Sequence, residues 1–236
     1  MNDAEIARLI GHAFGDGSIH QKHYFIYTNT CDALHQCVKQ IVIKNFGNVK
    51  FNVNTAISGT PRYQYSNIVG NLLVKRGAPV GSKTMQRTPV PDWIYNGNRK
   101  VMSSYLSALF DDEGAFRNEK NTNQIVFKAA KMLHLKSDLE AYMSQLIDML
   151  KILGIKASSI KSDQIKFRQN GEKVVSLRFW ITSKNNFEAF KKIILLVHPD
   201  KRVKLSDMIN SYRPELQIVK WRRRLTRTHP TVRGEG

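Results

Sequence analysis

The chain has 236 residues, enough for one large domain or two modest ones, and 42% hydrophobic with 24% charged residues exclude wholesale disorder. Lys and Arg number 37 against 19 Asp and Glu, a formal charge of +18 that points to a polyanion, most commonly nucleic acid. No run approaches the ~18 apolar residues of a spanning helix, and Cys31 and Cys37 are too few for a disulfide framework.

The opening MNDAEIARLI carries acids where a secretory signal would carry positive charge, so an intracellular, non-secreted protein of cytoplasm or organelle matrix is expected, with no membrane partner. The first helix, ending in LIGHAFGDGSI (9–19), stops on Gly15-Asp16-Gly17 with a carboxylate in its last turn. Helix C-termini carry partial negative charge, which disfavours an acid there by about 0.3–1 kcal/mol. After it come a strand-like HYFIYTNT and a helical DALHQCVKQIVIKNFG, whose first Asp suits capping. A hairpin-like pair, VKFNVNT and RYQYSNIV, and a short helix around GNLLVKRG complete this half. The stretch GAPVGSKTMQRTPVPDWI is rich in Pro, Gly and Lys and lacks periodicity, which marks a linker.

Beyond the linker the pattern returns. YLSALFDDEGAF (105–116) lies over LIGHAFGDGSI so that Leu9 matches Leu106, Gly11 matches Ala108, Gly15 matches Asp112 and Asp16 matches Glu113. QIVFKAA, the helix KSDLEAYMSQLIDMLKILG, the hairpin DQIKFRQNGEKVVSLRFWIT and the helix NNFEAFKKIILLV follow in the same order. Asn-Gly in QNGE suits a tight hairpin turn. The expected architecture is α+β, two tandem αββαββα repeats with pseudo-twofold symmetry. Residues 1–80 form the first half, 81–98 the linker, 99–218 the second half and 219–236 a basic tail, in which Trp221 could dock.

Gly11 and Gly15 lie on one helical face and would let a second helix approach closely. If the two repeated helices pack along that face, Asp16 and Glu113 sit side by side. Paired carboxylates at two helix C-termini repel, and a divalent cation resolves the conflict. The exposed carbonyls of Gly15 and Asp112 add hard-oxygen ligands suited to Mg²⁺. Acids, metal and phosphate together are the parts for phosphodiester hydrolysis.

LIGHAFGDG (9–17) and LSALFDDEG (106–114) resemble the nine-letter motif of the LAGLIDADG homing endonucleases, and VPDWI (90–94) is similar to the segment before the second motif in their single-chain members. The resemblance implies a monomer in which the motif helices form the seam between halves and two antiparallel sheets form a DNA-binding saddle. It implies that Asp16 and Glu113 are catalytic and bind two or three Mg²⁺ ions shared with DNA phosphates. Cleavage across the minor groove would leave short 3′ extensions. Asp111 fits the motif's sixth letter, where the first copy has Phe14; His12 replaces an aliphatic. A basic residue near the end of each half's last strand is implied as a phosphate-steadying catalytic group. Lys184 fits that place in the second half, whereas the first half offers Asn67 and no lysine.

Strand alternation puts Ile165 and Phe167, then Leu177, Phe179 and Ile181, inward, with Val49, Phe51 and Val53 inward in the first half. The outward DNA-binding candidates are Ser18, His20, Lys22, Lys50, Asn52, Asn54, Arg62, Gln64 and Ser66 in the first half. Those in the second are Arg117, Gln124, Lys128, Lys166, Arg168, Ser176, Arg178 and Trp180. Arg, Lys, Gln and Asn are the side chains that pair with guanine and adenine edges in the major groove. His20, His23, Cys31, His35 and Cys37 match no zinc-finger spacing. The expected function is a site-specific, metal-dependent endonuclease acting on a long double-stranded DNA site. The rivals are a maturase bound to its own intron RNA, a non-catalytic nucleic-acid binder of the same fold, and a ribosome-associated basic protein.

Overall fold

A computed structural model describes residues 1–119 and 122–212. In the first half α1 (Asp3–Phe14), β1 (Gly17–Ile19), β2 (Phe25–Thr28), α2 (Asp32–Phe46), β3 (Phe51–Thr55), β4 (Pro61–Tyr65) and α3 (Asn67–Lys75) follow in turn. The connecting segment holds the short α4 (Asp92–Tyr95). The second half consists of α5 (Arg99–Glu113), β5 (Ala115–Glu119), β6 (Thr122–Met132), α6 (Lys136–Ile152), β7 (Lys161–Ser162), β8 (Lys166–Phe167), β9 (Lys173–Ile181), α7 (Lys184–Ile193) and α8 (Pro199–Asn210).

The sheets share one plan, all antiparallel: β1-β2-β4-β3 in the first half and β5-β6-β9-β7 in the second, with β8 also on β9. The αββαββα repeat is therefore present twice. The second copy departs from it in two ways: α8 is added, and the edge strand is split. Lys161 and Ser162 face Arg178 and Leu177, whereas Lys166 and Phe167 face Val174 and Lys173, so three residues of the edge oppose two of β9. That extra residue is a β-bulge, which bends and twists the edge. The QNGE turn closes as a three-residue loop, with Arg168 N donating to Glu172 O at 2.9 Å and Gly171 at φ 80°.

Both repeated helices begin on asparagine. The Asn2 carboxamide oxygen accepts from Ala4 N, and that of Asn98 from Lys100 N and Val101 N, all at 3.0 Å. Asp32, expected to cap α2, instead sits in the helix's first turn behind Cys31, where it complements the dipole without a capping bond. Helices α1 and α5 pack along the face carrying Gly11 and Gly15. A Cβ on Gly11 would lie 2.5 Å from the Tyr105 carbonyl oxygen and 2.7 Å from Ala108 Cβ. An interior glycine costs a helix roughly 1 kcal/mol relative to alanine; here the close approach explains it. Gly11→Ala is expected to destabilise the protein by about 1–3 kcal/mol, as overpacking does, read as a fall of several degrees in Tm.

Aromatic stacks fill the core on the inner face of each sheet: Phe25 on Tyr65 at 5.7 Å in the first half, and Phe127 on Phe179 at 5.5 Å in the second. Phe110 of α5 meets Phe190 of α7 edge-on at 4.9 Å. The alternation fails where the arms outrun this cover. Val53 (60% exposed), Phe167 (68%) and Ile165 (47%), all expected to face inward, stand open near the ends of their hairpins.

The linker is an ordered strap. On the first half, Val80 bridges Ile19 and Gly81 N donates to Ile19 O. On the second, the buried Lys131 ammonium donates to Lys83 O, Gln86 O and Thr88 Oγ1 at 2.8, 2.5 and 2.7 Å. Burial draws Lys131 down to about 8. Arg168 Nη2 bonds Thr84 Oγ1 and Arg87 pairs with Asp138. The basic tail, Trp221 included, lies outside the described residues.

Candidate metal and nucleic-acid site

The C-terminal ends of α1 and α5 meet, and four acids gather there. Asp111 is buried, accepting from Arg8 Nη2 of α1 at 2.7 Å and from Val197 N and His198 N at 2.9 and 3.0 Å. Asp112 fills the space in front of Gly15, where a Cβ would fall 2.6 Å from that of Asp112. Its carboxylate reaches into the first half, accepting from Tyr27 Oη at 2.7 Å and from Asp16 N at 3.1 Å, with His12 Nδ1 at 3.0 Å. Burial pulls the His12 pKa down, but the facing Asp112 carboxylate more than reverses this and raises it to about 9. His12 is therefore an imidazolium that neutralises Asp112. Phe14, at the letter matching Asp111, instead stacks on Tyr142 at 5.9 Å.

Among the described residues Asp16 and Glu113 have no such fixed counter-ion, and both are exposed. Protein crowds the bases of both side chains. This desolvation raises Asp16, with Asp112 adding to it, and raises Glu113 to about 7, with Asp16 adding to it. The Asp16 charge reaches Glu113, as expected of two acids at the same helix-end junction. Asn29 Nδ2 donates to Asp16 Oδ2 at 2.7 Å and orients it.

Two lysines close the site. Lys83 Nζ, from the strap, donates to the carbonyl oxygens of Gly15 and Gly17, the latter at 2.8 Å. Lys201 Nζ, from α8, donates to Phe110 O, Asp111 O and Asp112 O at 3.1, 2.5 and 3.1 Å. Each lysine stands eight residues past the end of its half's third helix (Lys75 to Lys83, Ile193 to Lys201), so they occupy matching places in the two repeats. They offset the negative helix ends and the acids beside them. Burial lowers both lysines against the upward pull of those acids. Lys184, expected in this role, opens α7 and faces Glu188 one turn along at 3.8 Å. The strap's lack of periodicity concealed Lys83; the matching interval after α3 and α7 was the available signal.

The donor set suits a hard divalent cation: two exposed carboxylates at one helix-end junction, both with raised proton affinity. The expected carbonyl ligands, Gly15 and Asp112, each already accept from a lysine, which leaves one lone pair apiece. Among the described residues no group of three or more His, Cys, Asp and Glu side chains forms a metal-binding cluster, so an ion here draws further ligands from outside the protein. Raised carboxyls favour folding while protonated, and for Glu113 that contribution fades as pH rises from 4.5 through about 7. Without divalent ions, Glu113→Gln is expected to gain stability over the parent between about pH 5 and about pH 8. Denaturant titrations at each pH measure this. A pH-independent difference would contradict it.

Residues 100–195 match the family model described as a LAGLIDADG-like domain. The whole fold is shared with the homing endonuclease I-DmoI. Its structure with DNA and Ca aligns over 88% of this chain and 100% of that one, with TM-score 0.55 and 12% identity. Residues 100–195 are thus similar to a LAGLIDADG-like domain, and the chain has the I-DmoI fold. Full-length DUF199/WhiA from Thermatoga maritima shares the fold over 96% of this chain and 68% of its own, with TM-score 0.54 and 12% identity. Among curated proteins, glutamine--fructose-6-phosphate aminotransferase of Methanocaldococcus jannaschii is 23% identical over 87% of this chain and 17% of its own length. The tRNA-splicing ligase RtcB of Pyrococcus furiosus is 27% identical over 56% of this chain and 13% of its own. The chain thus spans less than a fifth of either relative.

Strand register sorts the DNA-binding candidates. Ser18, Asn52, Asn54, Arg62 and Gln64 share one face of the first sheet with Ile26 and Thr28, opposite the aromatic core face. Arg117, Gln124, Lys128, Arg178, Ser176 and Trp180 share the corresponding face of the second, and the bulge leaves Lys166 on that side too. His20 and Lys22 are exposed at the turn between β1 and β2, Lys50 precedes β3, and Ser66 precedes α3. Several candidates are otherwise engaged, Lys128 and Arg178 among them through Asp163. Ser176 is 7% exposed, and Arg168 is held by Thr84 and Glu172.

Proposed function

We propose that the protein is a site-specific, divalent-metal-dependent DNA endonuclease of the homing type, acting as a monomer. The observation that carries this reading is the meeting of Asp16 and Glu113 at two helix ends, each attended by a lysine from the matching place in its repeat. Asp16 and Glu113 would hold Mg²⁺ together with the DNA phosphates. Held there, Mg²⁺ supplies the charge that acidifies water and stabilises the leaving oxygen. Asn29 and the Asp112 carboxylate fix Asp16 through its side chain and its backbone N–H. Lys83 uses two of its three donors on carbonyls, which leaves one for a phosphate oxygen. The two sheet faces supply the base contacts, with surrounding Lys and Arg on the phosphates, so affinity falls steeply with salt.

The similar proteins support parts of this reading. I-DmoI structures hold DNA with Ca or Mn. The two curated relatives bear unrelated activities, and the matched stretch fills little of either, as a mobile insert would. Selection of cut sites from random duplex DNA with Mg²⁺ tests the proposal. One long preferred site, cut in both strands with 3′ extensions, is the expected result. Binding without cutting, or rescue of intron splicing alone, would replace it with the binding-protein or maturase reading.

A further inference from the structure

The reading face of the second sheet contains a carboxylate among its cations. Lys128 and Arg178 stand directly opposite each other on β6 and β9. Asp163, in the bulge after β7, continues the register of Lys161 and Ser162, so it falls on the same face. Its N–H donates to Ser176 O at 2.9 Å, which pins the backbone. Oδ2 of Asp163 lies 2.5 Å from Lys128 Nζ, and Oδ1 lies 3.1 Å from Arg178 Nε. The Asp163 side chain is 15% exposed, against 46% for Lys128 and 43% for Arg178, so the acid sits beneath the two cations.

We propose that Asp163 is a specificity-determining positioning residue that buttresses Arg178 and Lys128 for base readout. This rests on the DNA-binding reading above. An arginine identifies guanine through the paired donors of its guanidinium fork against O6 and N7. Asp163 meets the guanidinium at Nε, the donor the fork does not need, as an ion pair without a hydrogen bond, which leaves the terminal nitrogens for the bases. It also removes rotamer freedom from two long side chains that would otherwise be ordered only on binding. Its negative charge cancels part of the local positive field, which weakens attachment to phosphates of any sequence. The carboxylate thus favours one base pattern while discouraging indiscriminate adhesion.

The test compares parent, Asp163→Asn, Asp163→Glu and Arg178→Lys in selections from random duplex DNA, with affinities for the selected site and for unrelated duplex at several salt concentrations. Asp163→Asn is expected to bind unrelated DNA several-fold more tightly, with a log–log salt slope steeper by about 1. At one base-pair position it should lose about 5- to 100-fold of preference, leaving the others intact. Arg178→Lys should relax the same position, and Asp163→Glu should restore part of the preference. Unchanged preference and slope in Asp163→Asn, beside a parent that selects a site, would overturn the buttress alone. A parent that selects no site would overturn the DNA reading and the buttress with it.

Discussion

Asp16→Asn and Glu113→Gln are each expected to lower cutting of at least one DNA strand by about a hundredfold or more while binding stays nearly unchanged. Both amides keep the shape of the side chain and remove the charge a divalent ion requires. Neither acid holds the fold together: both are exposed, and the buried contacts of the seam belong to Asp111 and Asp112. Losing the Asp16–Glu113 repulsion should leave stability equal to the parent or higher in metal-free buffer. Strand-resolved cleavage on an end-labelled duplex separates the two variants, since each acid derives from one motif. Full rates on both strands from both variants would exclude these residues from the chemistry.

Lys83→Met and Lys201→Met are expected to produce the second large effect, a loss of about 10²–10³ in cutting. Methionine keeps most of the aliphatic stem but cannot donate to the motif-helix carbonyls or counter the acids. Lys83 lies on the end of α1 and Lys201 on that of α5, so each variant should affect one strand more than the other and leave nicked circles from a supercoiled substrate. Lys184→Met, whose ammonium faces Glu188, should cut like the parent.

The repeat, the paired acids and the polar faces of the sheets were legible in the sequence because each is a local or periodic signal. Asp16 and Glu113 were marked by an acid-glycine ending on two apolar helices, and Arg62, Gln64, Lys128 and Arg178 by simple alternation. Lys83 was not legible: its position depends on a strap whose path is set by Lys131, Arg168 and Ile19, all distant in the chain. Lys201 lies on a helix that has no counterpart in the first half. Val53 and Phe167 show the limit of alternation, which reports the side of a strand but not how far the cover beneath it extends. Asp112 read as a break in a small-residue face; its partners, His12 and Tyr27, come from the other half.

Two helix tails that share a cation with a nucleic-acid backbone can be observed directly. Crystals of the protein on its selected DNA, grown with Mn²⁺, would show the ion by its anomalous scattering. Peaks bonded at once to the carboxylate of Asp16 or Glu113 and to a phosphate at a cut position would bear the account out. Manganese absent from both acids, with the backbone phosphates seated elsewhere on the positive surface, would contradict it.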